Sequence, residues 1–251
     1  MKGKNGFVAV LLVILLGAIS QASAVGKDVL LDELYEKAEL GRQLHWIRAS
    51  MRLDYAKYTL PNEVLDTFNQ VVKVRYGTRF FRTSMMSTLD EALTVDEVLE
   101  LVEWYNSPLG QKILKLESLS NNPDNNERMQ AYIGDKLSKQ LPRSSREELI
   151  EELMVVLDVV EHGTELAATA SVGGQRLLKE VMPSMRGATL QPQVLKAREK
   201  PSIRRTMAER MKGILFYTYR GLSDQEIRRY LEFSRGTGMQ NFQRGQVQAM
   251  T

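Results

Sequence analysis

The chain has 251 residues, of which 43% are hydrophobic and 26% charged; its formal net charge is +3 and it contains no cysteine. That balance excludes global disorder, which needs low hydrophobicity together with a high net charge. The missing thiol excludes a disulfide framework, a thiolate metal site and a lipid-modified N-terminal cysteine.

Residues 1–24 have the pattern of a secretory signal: Lys2 and Lys4, the apolar run Phe7 to Ile19, then Ala22-Ser23-Ala24 as an A-x-A cleavage site. The run has 13 residues, whereas a membrane-crossing helix needs roughly 20. The expectation is therefore cleavage before Val25, no retained anchor, and a periplasmic location, or secretion where the host has one membrane. Without Lys2 and Lys4 the charge falls to +1, and it is unevenly spread: −3 over residues 25–142, −4 over 143–183 and +8 over 184–251. A basic C-terminal part suits either an anionic partner or docking against the acidic remainder of the same chain.

Apolar residues recur at helical spacing along the chain. Leu40, Leu44, Ile47, Met51 and Tyr55 form a first stripe. Val71 to Val74 is rich in β-branched residues but continues a helical pattern without a hairpin turn, so it reads as helix. Asn121 to Asn126 is a run of turn formers and predicts a loop. Leu141-Pro142-Arg143-Ser144 closes a first part, residues 25–142. The middle part, residues 143–190, reads as a helical hairpin. Its first helix carries the stripe Leu149, Ile150, Leu153, Val156, Leu157 and Val160, and either Ser144 or Ser145 with Glu147 or Glu148 offers a capping box at its start. Small residues from Ala167 to Gly174 in the second helix permit close packing. Pro183 to Pro201 looks like a connector, with Pro201 suited to the first turn of the next helix. The last part, residues 191–251, carries the stripe Ile203, Met207, Met211, Ile214 and Leu215; Ile214 to Tyr219 also reads as helix despite its β-branched and aromatic content. The expected fold is all-α, a helical bundle.

The strongest pattern is a duplication offset by 129 residues. Leu93-Thr94-Val95-Asp96-Glu97-Val98 aligns with Leu222-Ser223-Asp224-Gln225-Glu226-Ile227, Val102-Glu103-Trp104 with Leu231-Glu232-Phe233, and Gln111 with Gln240. Each copy opens with a hydroxyl residue and a glutamate three residues on, which is a capping box. After it, the first copy runs Trp104-Tyr105-Asn106-Ser107-Pro108-Leu109-Gly110-Gln111-Lys112. The second has lost the proline and gained Gly236.

The segment Leu93 to Ile113, with this Trp-Tyr-x-Ser-Pro-Leu-Gly-Gln-Lys ending, resembles the bacterial domain-of-unknown-function family twenty fifty-nine. The resemblance implies an exported all-helical protein. It brings no catalytic residues with it.

Chemistry is sparse. The two histidines, His45 and His162, exclude a multi-histidine metal site; Asp158, Glu161, His162 and Glu165 share a region, but a di-metal helical centre needs a larger ligand set. No nucleophile elbow, Ser-x-x-Lys box or phosphate loop occurs. The pairs Glu147-Glu148 and Glu151-Glu152 are explained by their place in the first turns of a helix, where the dipole favours negative charge. No cofactor, metal or catalytic residue is therefore assigned. Arg204, Arg205, Arg228, Arg229 and Arg235 are the candidate surface for an anionic or protein partner, and Tyr105, whose counterpart is Ser234, is the candidate for a partner groove; Trp104, aligned with Phe233, is expected in the core. The leading reading is a non-catalytic interaction or structural module of the cell envelope, with which self-association is compatible. The alternative is a binder of anionic lipid or glycan, and a carboxylate-based cell-wall hydrolase comes third. Nucleic acid is set aside because an exported protein rarely meets it.

Overall fold

The computed structural model describes residues 26–42, 62–75, 77–137, 143–181 and 192–250. The signal segment, His45, most of the stripe from Leu44 to Tyr55 and the prolines at 142 and 183 lie outside these residues. Among the described residues every regular element is a helix and none is a strand, as the periodicity predicts.

The first group comprises α1 (Lys27–Lys37), α2 (Asn62–Arg75), α3 (Thr78–Ala92), α4 (Val95–Asn106) and α5 (Pro108–Asn121). Leu30, Leu31 and Leu34 of α1, Phe81, Met85 and Leu89 of α3, and Val98, Leu101, Val102 and Tyr105 of α4 repeat every three or four residues and are buried. The α4 cap forms as its sequence predicts: the Glu97 amide donates to Thr94 Oγ1 at 3.3 Å, and the Thr94 amide donates to Glu97 Oε2 at 2.7 Å. Beyond α5, the run of turn formers gives a 3-10 turn (Pro123–Asn125). The short α6 (Asn126–Ala131) and a π-helical turn (Tyr132–Leu137) follow.

The remaining helices are α7 (Ser144–Val156), α8 (Val159–Val181), α9 (Pro192–Thr218), α10 (Asp224–Ser234) and α11 (Thr237–Met250), with a 3-10 turn (Tyr219–Gly221) before α10. Helices far apart in sequence cover one another. Helix α1 packs on α3 and α4, α11 runs along α3, α10 lies on α7, α9 meets α5, and α8 lies along α9. Leu34, Met85, Leu101, Ile150, Leu153, Ile227 and Phe242 belong to one continuous core. Where α11 crosses α3, Gly245 has Leu89 so near that an added Cβ would touch its Cδ2 at 2.9 Å.

Three local expectations are corrected. The stripe from Glu147 to Val160 is not one helix: α7 stops at Val156, and Asp158 takes φ 45°, a left-handed conformation that a continuing right-handed helix cannot contain. The capping box expected at Ser144 or Ser145 does not form, because Arg143 holds the cap position and makes no side-chain cap bond. Pro201 does not open a helix but lies inside α9, which starts at Pro192. Pro192 fills the first-turn role equally well, since its missing N–H is one a helix start does not need. Downstream of it, Lys200 and Arg204 are held to α8 by Glu161.

Candidate functional site

The turn between α4 and α5 is built by Ser107. Its N–H donates to the Trp104 carbonyl at 2.9 Å and its Oγ donates to the same oxygen at 2.7 Å, while that Oγ accepts the Gly110 N–H at 3.0 Å. Pro108 takes the first helical position, where no N–H is required. Gln111 then reaches back, its Nε2 donating to the Tyr105 carbonyl. The outer face of α5 so positioned forms one wall of a solvent-open groove of 630 Å³. Pro108, Leu114 and Leu119 supply apolar surface, Lys112, Lys115 and Ser118 line it, and Glu39 and Arg42 face it from beyond α1. Arg42 is tied to Glu39 at 2.6 Å and donates to Ser118 Oγ at 3.2 Å; Lys112 pairs with Glu226 at 2.7 Å. Lys115 is exposed and forms no ion pair among the described residues, and Leu119 is 47% exposed.

A different face of α5 carries Glu117, partly buried and held by two buried phenols. The Tyr219 hydroxyl donates to Glu117 Oε1 at 2.7 Å and the Tyr230 hydroxyl donates to the same oxygen at 2.9 Å. No cation pairs with this carboxylate among the described residues. Burial therefore pushes the Glu117 carboxyl above the usual carboxylate range, and the two phenol hydrogen bonds oppose that rise without cancelling it. Burial and then the nearby carboxylate raise the Tyr219 and Tyr230 hydroxyls in turn. Helical phase is the sequence signal for this residue: Glu117 lies four residues after Ile113 and three before Ser120, both buried, so it falls on the inward stripe of α5.

The arginines proposed from sequence do not form one surface of free charge. Arg204 pairs with Glu161 at 3.4 Å and Arg235 pairs with Glu152. Lys200 joins Glu161 and Glu165 at 2.6 and 3.1 Å, and Lys212 joins Glu147 and Glu151. Much of the basic C-terminal charge is therefore met by the acidic middle part, as the split in net charge allowed. Arg205, Arg228 and Arg229 are exposed and form no ion pair among the described residues.

Tyr105 is not a surface residue. It is 8% exposed, with its ring 6.0 Å from that of Phe242 in an edge-on contact. The reason is phase: Val98, Leu101, Val102 and Tyr105 lie at i, i+3, i+4 and i+7 on one face of α4. Trp104 stacks on Phe233 at 4.0 Å, with the rings 6° from parallel, and packs against the core as expected. Among the described residues no group of three or more His, Asp or Glu side chains is placed to hold a metal ion. Near His162, Glu161 and Glu165 are both engaged by Lys200.

Residues 81–142 match a bacterial family. It is described as "Uncharacterized protein conserved in bacteria (DUF2059)". The matched span contains the Ser107 turn, the α5 wall of the groove and Glu117; Tyr219, Tyr230 and the C-terminal arginines lie outside the part that resembles DUF2059. No curated protein and no solved structure matches the chain.

Proposed function

We propose that the protein is an exported, non-catalytic module that binds another protein of the bacterial cell envelope, and that the groove on α5 receives the partner. The observation that carries this reading is the groove itself. Its volume of 630 Å³ lies within the usual size of a ligand pocket, and it is open to solvent. Apolar residues with lysines beside them suit an amphipathic, acidic helix or extended segment laid on the surface. The signal pattern of residues 1–24 supports export, and no helix among the described residues is long and apolar enough to cross a membrane.

The test is site-directed cross-linking in intact cells from position 115. A defined partner band is expected, weakened tenfold or more by Leu119→Asp, which puts a charge where the partner's apolar face would sit, and also lost on Lys112→Glu. Recovery of no partner, or a partner whose capture ignores both changes, would overturn the proposal.

Arg205, Arg228 and Arg229 favour a second reading, an anionic lipid or glycan surface, because no carboxylate neutralises them among the described residues. Binding to vesicles containing an anionic lipid should then exceed binding to neutral vesicles, and it should collapse between 0.1 M and 1 M salt as the Debye length falls from about 10 Å to about 3 Å. Equal retention on neutral vesicles would exclude it.

A further inference from the structure

We infer that the chain is a fused dimer: residues 26–137 and 143–250 are two copies of one helical unit, and the α4–α5 face is a docking surface for a unit of its own kind, filled here in cis by α10–α11. An interface between identical units related by a two-fold axis has a diagnostic property. Residue i of one copy meets residue j of the other, and j of the first meets i of the second; residues on the axis meet their own counterparts.

The contacts obey this rule at the 129-residue offset. Lys112 donates to Glu226 Oε1 at 2.7 Å; Asn241, the counterpart of Lys112, donates to Oε1 of Glu97, the counterpart of Glu226, at 2.8 Å. In each glutamate the other oxygen, Oε2, closes the capping box, accepting the backbone N–H of Thr94 or of Ser223 at 2.7 Å. Trp104 and Phe233 are counterparts of each other, and they stack face to face, which places the axis through the pair. Within each copy the same turn bond recurs, Gln111 to the Tyr105 carbonyl and Gln240 to the Ser234 carbonyl. Whole helices follow: α3 packs on α11, and its counterpart, the C-terminal part of α9, packs on α5.

The likeness extends beyond the motif read from sequence. Helix α1 buries Leu30, Leu31 and Leu34 and is followed by Glu39 at φ 52°; α7 buries Leu149, Ile150 and Leu153 and is followed by Asp158 at φ 45°. At the spacing that aligns Leu34 with Leu153, Asp32 of α1 aligns with Glu151 of α7, and each holds a cation of the helix it packs on, Arg82 of α3 at 2.8 Å and Lys212 of α9 at 2.7 Å. Against this shared framework Glu117 is one-sided, since its counterpart is Gln246, and the counterparts of Tyr219 and Tyr230 are Asp90 and Leu101. The inference does not depend on what the groove binds.

Exchanging the polarity of the two reciprocal contacts in the full-length chain tests it, read by urea denaturation. Lys112→Asn should lower the midpoint and Asn241→Lys should raise it, because a lysine at 241 gains with Glu97 the ion pair that 112 has with Glu226. The double variant should return to the parent midpoint within error. A double variant no more stable than Lys112→Asn would overturn the inference. If Lys112→Asn leaves the midpoint unmoved, Lys112→Glu and Asn241→Glu decide, since each opposes two carboxylates. Falls of equal size support equivalent contacts; a fall in one variant alone, or in neither, rejects them.

Discussion

Gly110→Ala is expected to destabilise the protein by about 3 kcal/mol, the upper end of what forcing extra volume into a close-packed site costs. A Cβ at this position would run into the Trp104 carbonyl, with Ser107 Oγ only 3.1 Å from it on another side. Neither neighbour can retreat at little cost: the carbonyl is backbone, and it already accepts both the N–H and the hydroxyl of Ser107. The turn would have to open, and with it the start of α5 and the groove wall. Gly245→Ala is the control. Its Cβ meets the far end of a side chain, Leu89 Cδ2, and not a backbone carbonyl, so its loss is expected to be smaller. Equal urea midpoints for Gly110→Ala and the parent would show that the turn is not held as described. The corresponding turn between α10 and α11 has Met239 at this position and Gly236 in place of Ser107, so the steric demand there falls on a different residue.

The Glu117 set gives the second large effect, and its sign depends on pH. A carboxyl whose folded-state pKa is raised binds its proton more tightly when folded. Its stabilising contribution is therefore complete at low pH and is lost as pH rises from the ordinary value of 4.5 through the raised one. Glu117→Gln retains a carbonyl oxygen to accept both phenol hydrogen bonds and carries no charge, so it should be more stable than the parent near neutrality, and the difference should shrink toward pH 4.5. Glu226 runs the opposite way. Lys112 and the Ser223 N–H hold it down to about 2, so its contribution is complete above 4.5 and is lost as pH falls from 4.5 toward 2. Measurements above pH 5 therefore isolate Glu117. At neutral pH, Tyr230→Phe or Tyr219→Phe should each cost about 1.5–3 kcal/mol, the usual worth of a hydrogen bond to a charged group. In the Glu117→Gln background the same changes should cost about 0.5–1.5 kcal/mol, as for neutral partners. Identical pH profiles for the parent and Glu117→Gln would mean that this carboxylate does not feel its burial.

A partly buried carboxylate that no cation neutralises among the described residues works against stability. Groups retained at a cost to stability are where binding or proton chemistry is sought. Glu117 and the groove share α5, on different faces of one helix, so the groove variants and the Glu117 variants can be measured for effects on each other.

Local signals were legible in the sequence. The all-α class, the capping boxes at Thr94 and Ser223, the proline start of α5 and the tight approach at Gly110 each depend on residues within a few positions of one another, and helical hydrogen bonding is itself local. The inward faces of Tyr105 and Glu117 were also present in the phase of their helices. Burial there runs against residue type, since a tyrosine and a glutamate read as surface residues until their stripe is followed. What only the tertiary structure decided is which helix covers which. Periodicity states that a face must be buried but does not name the partner that buries it. Hence the two phenols from positions 219 and 230 that meet Glu117, the acids of α7 and α8 that neutralise much of the basic C-terminal part, and the left-handed residue at Asp158 that divides one apolar stripe between two helices all became visible only once distant segments were packed together.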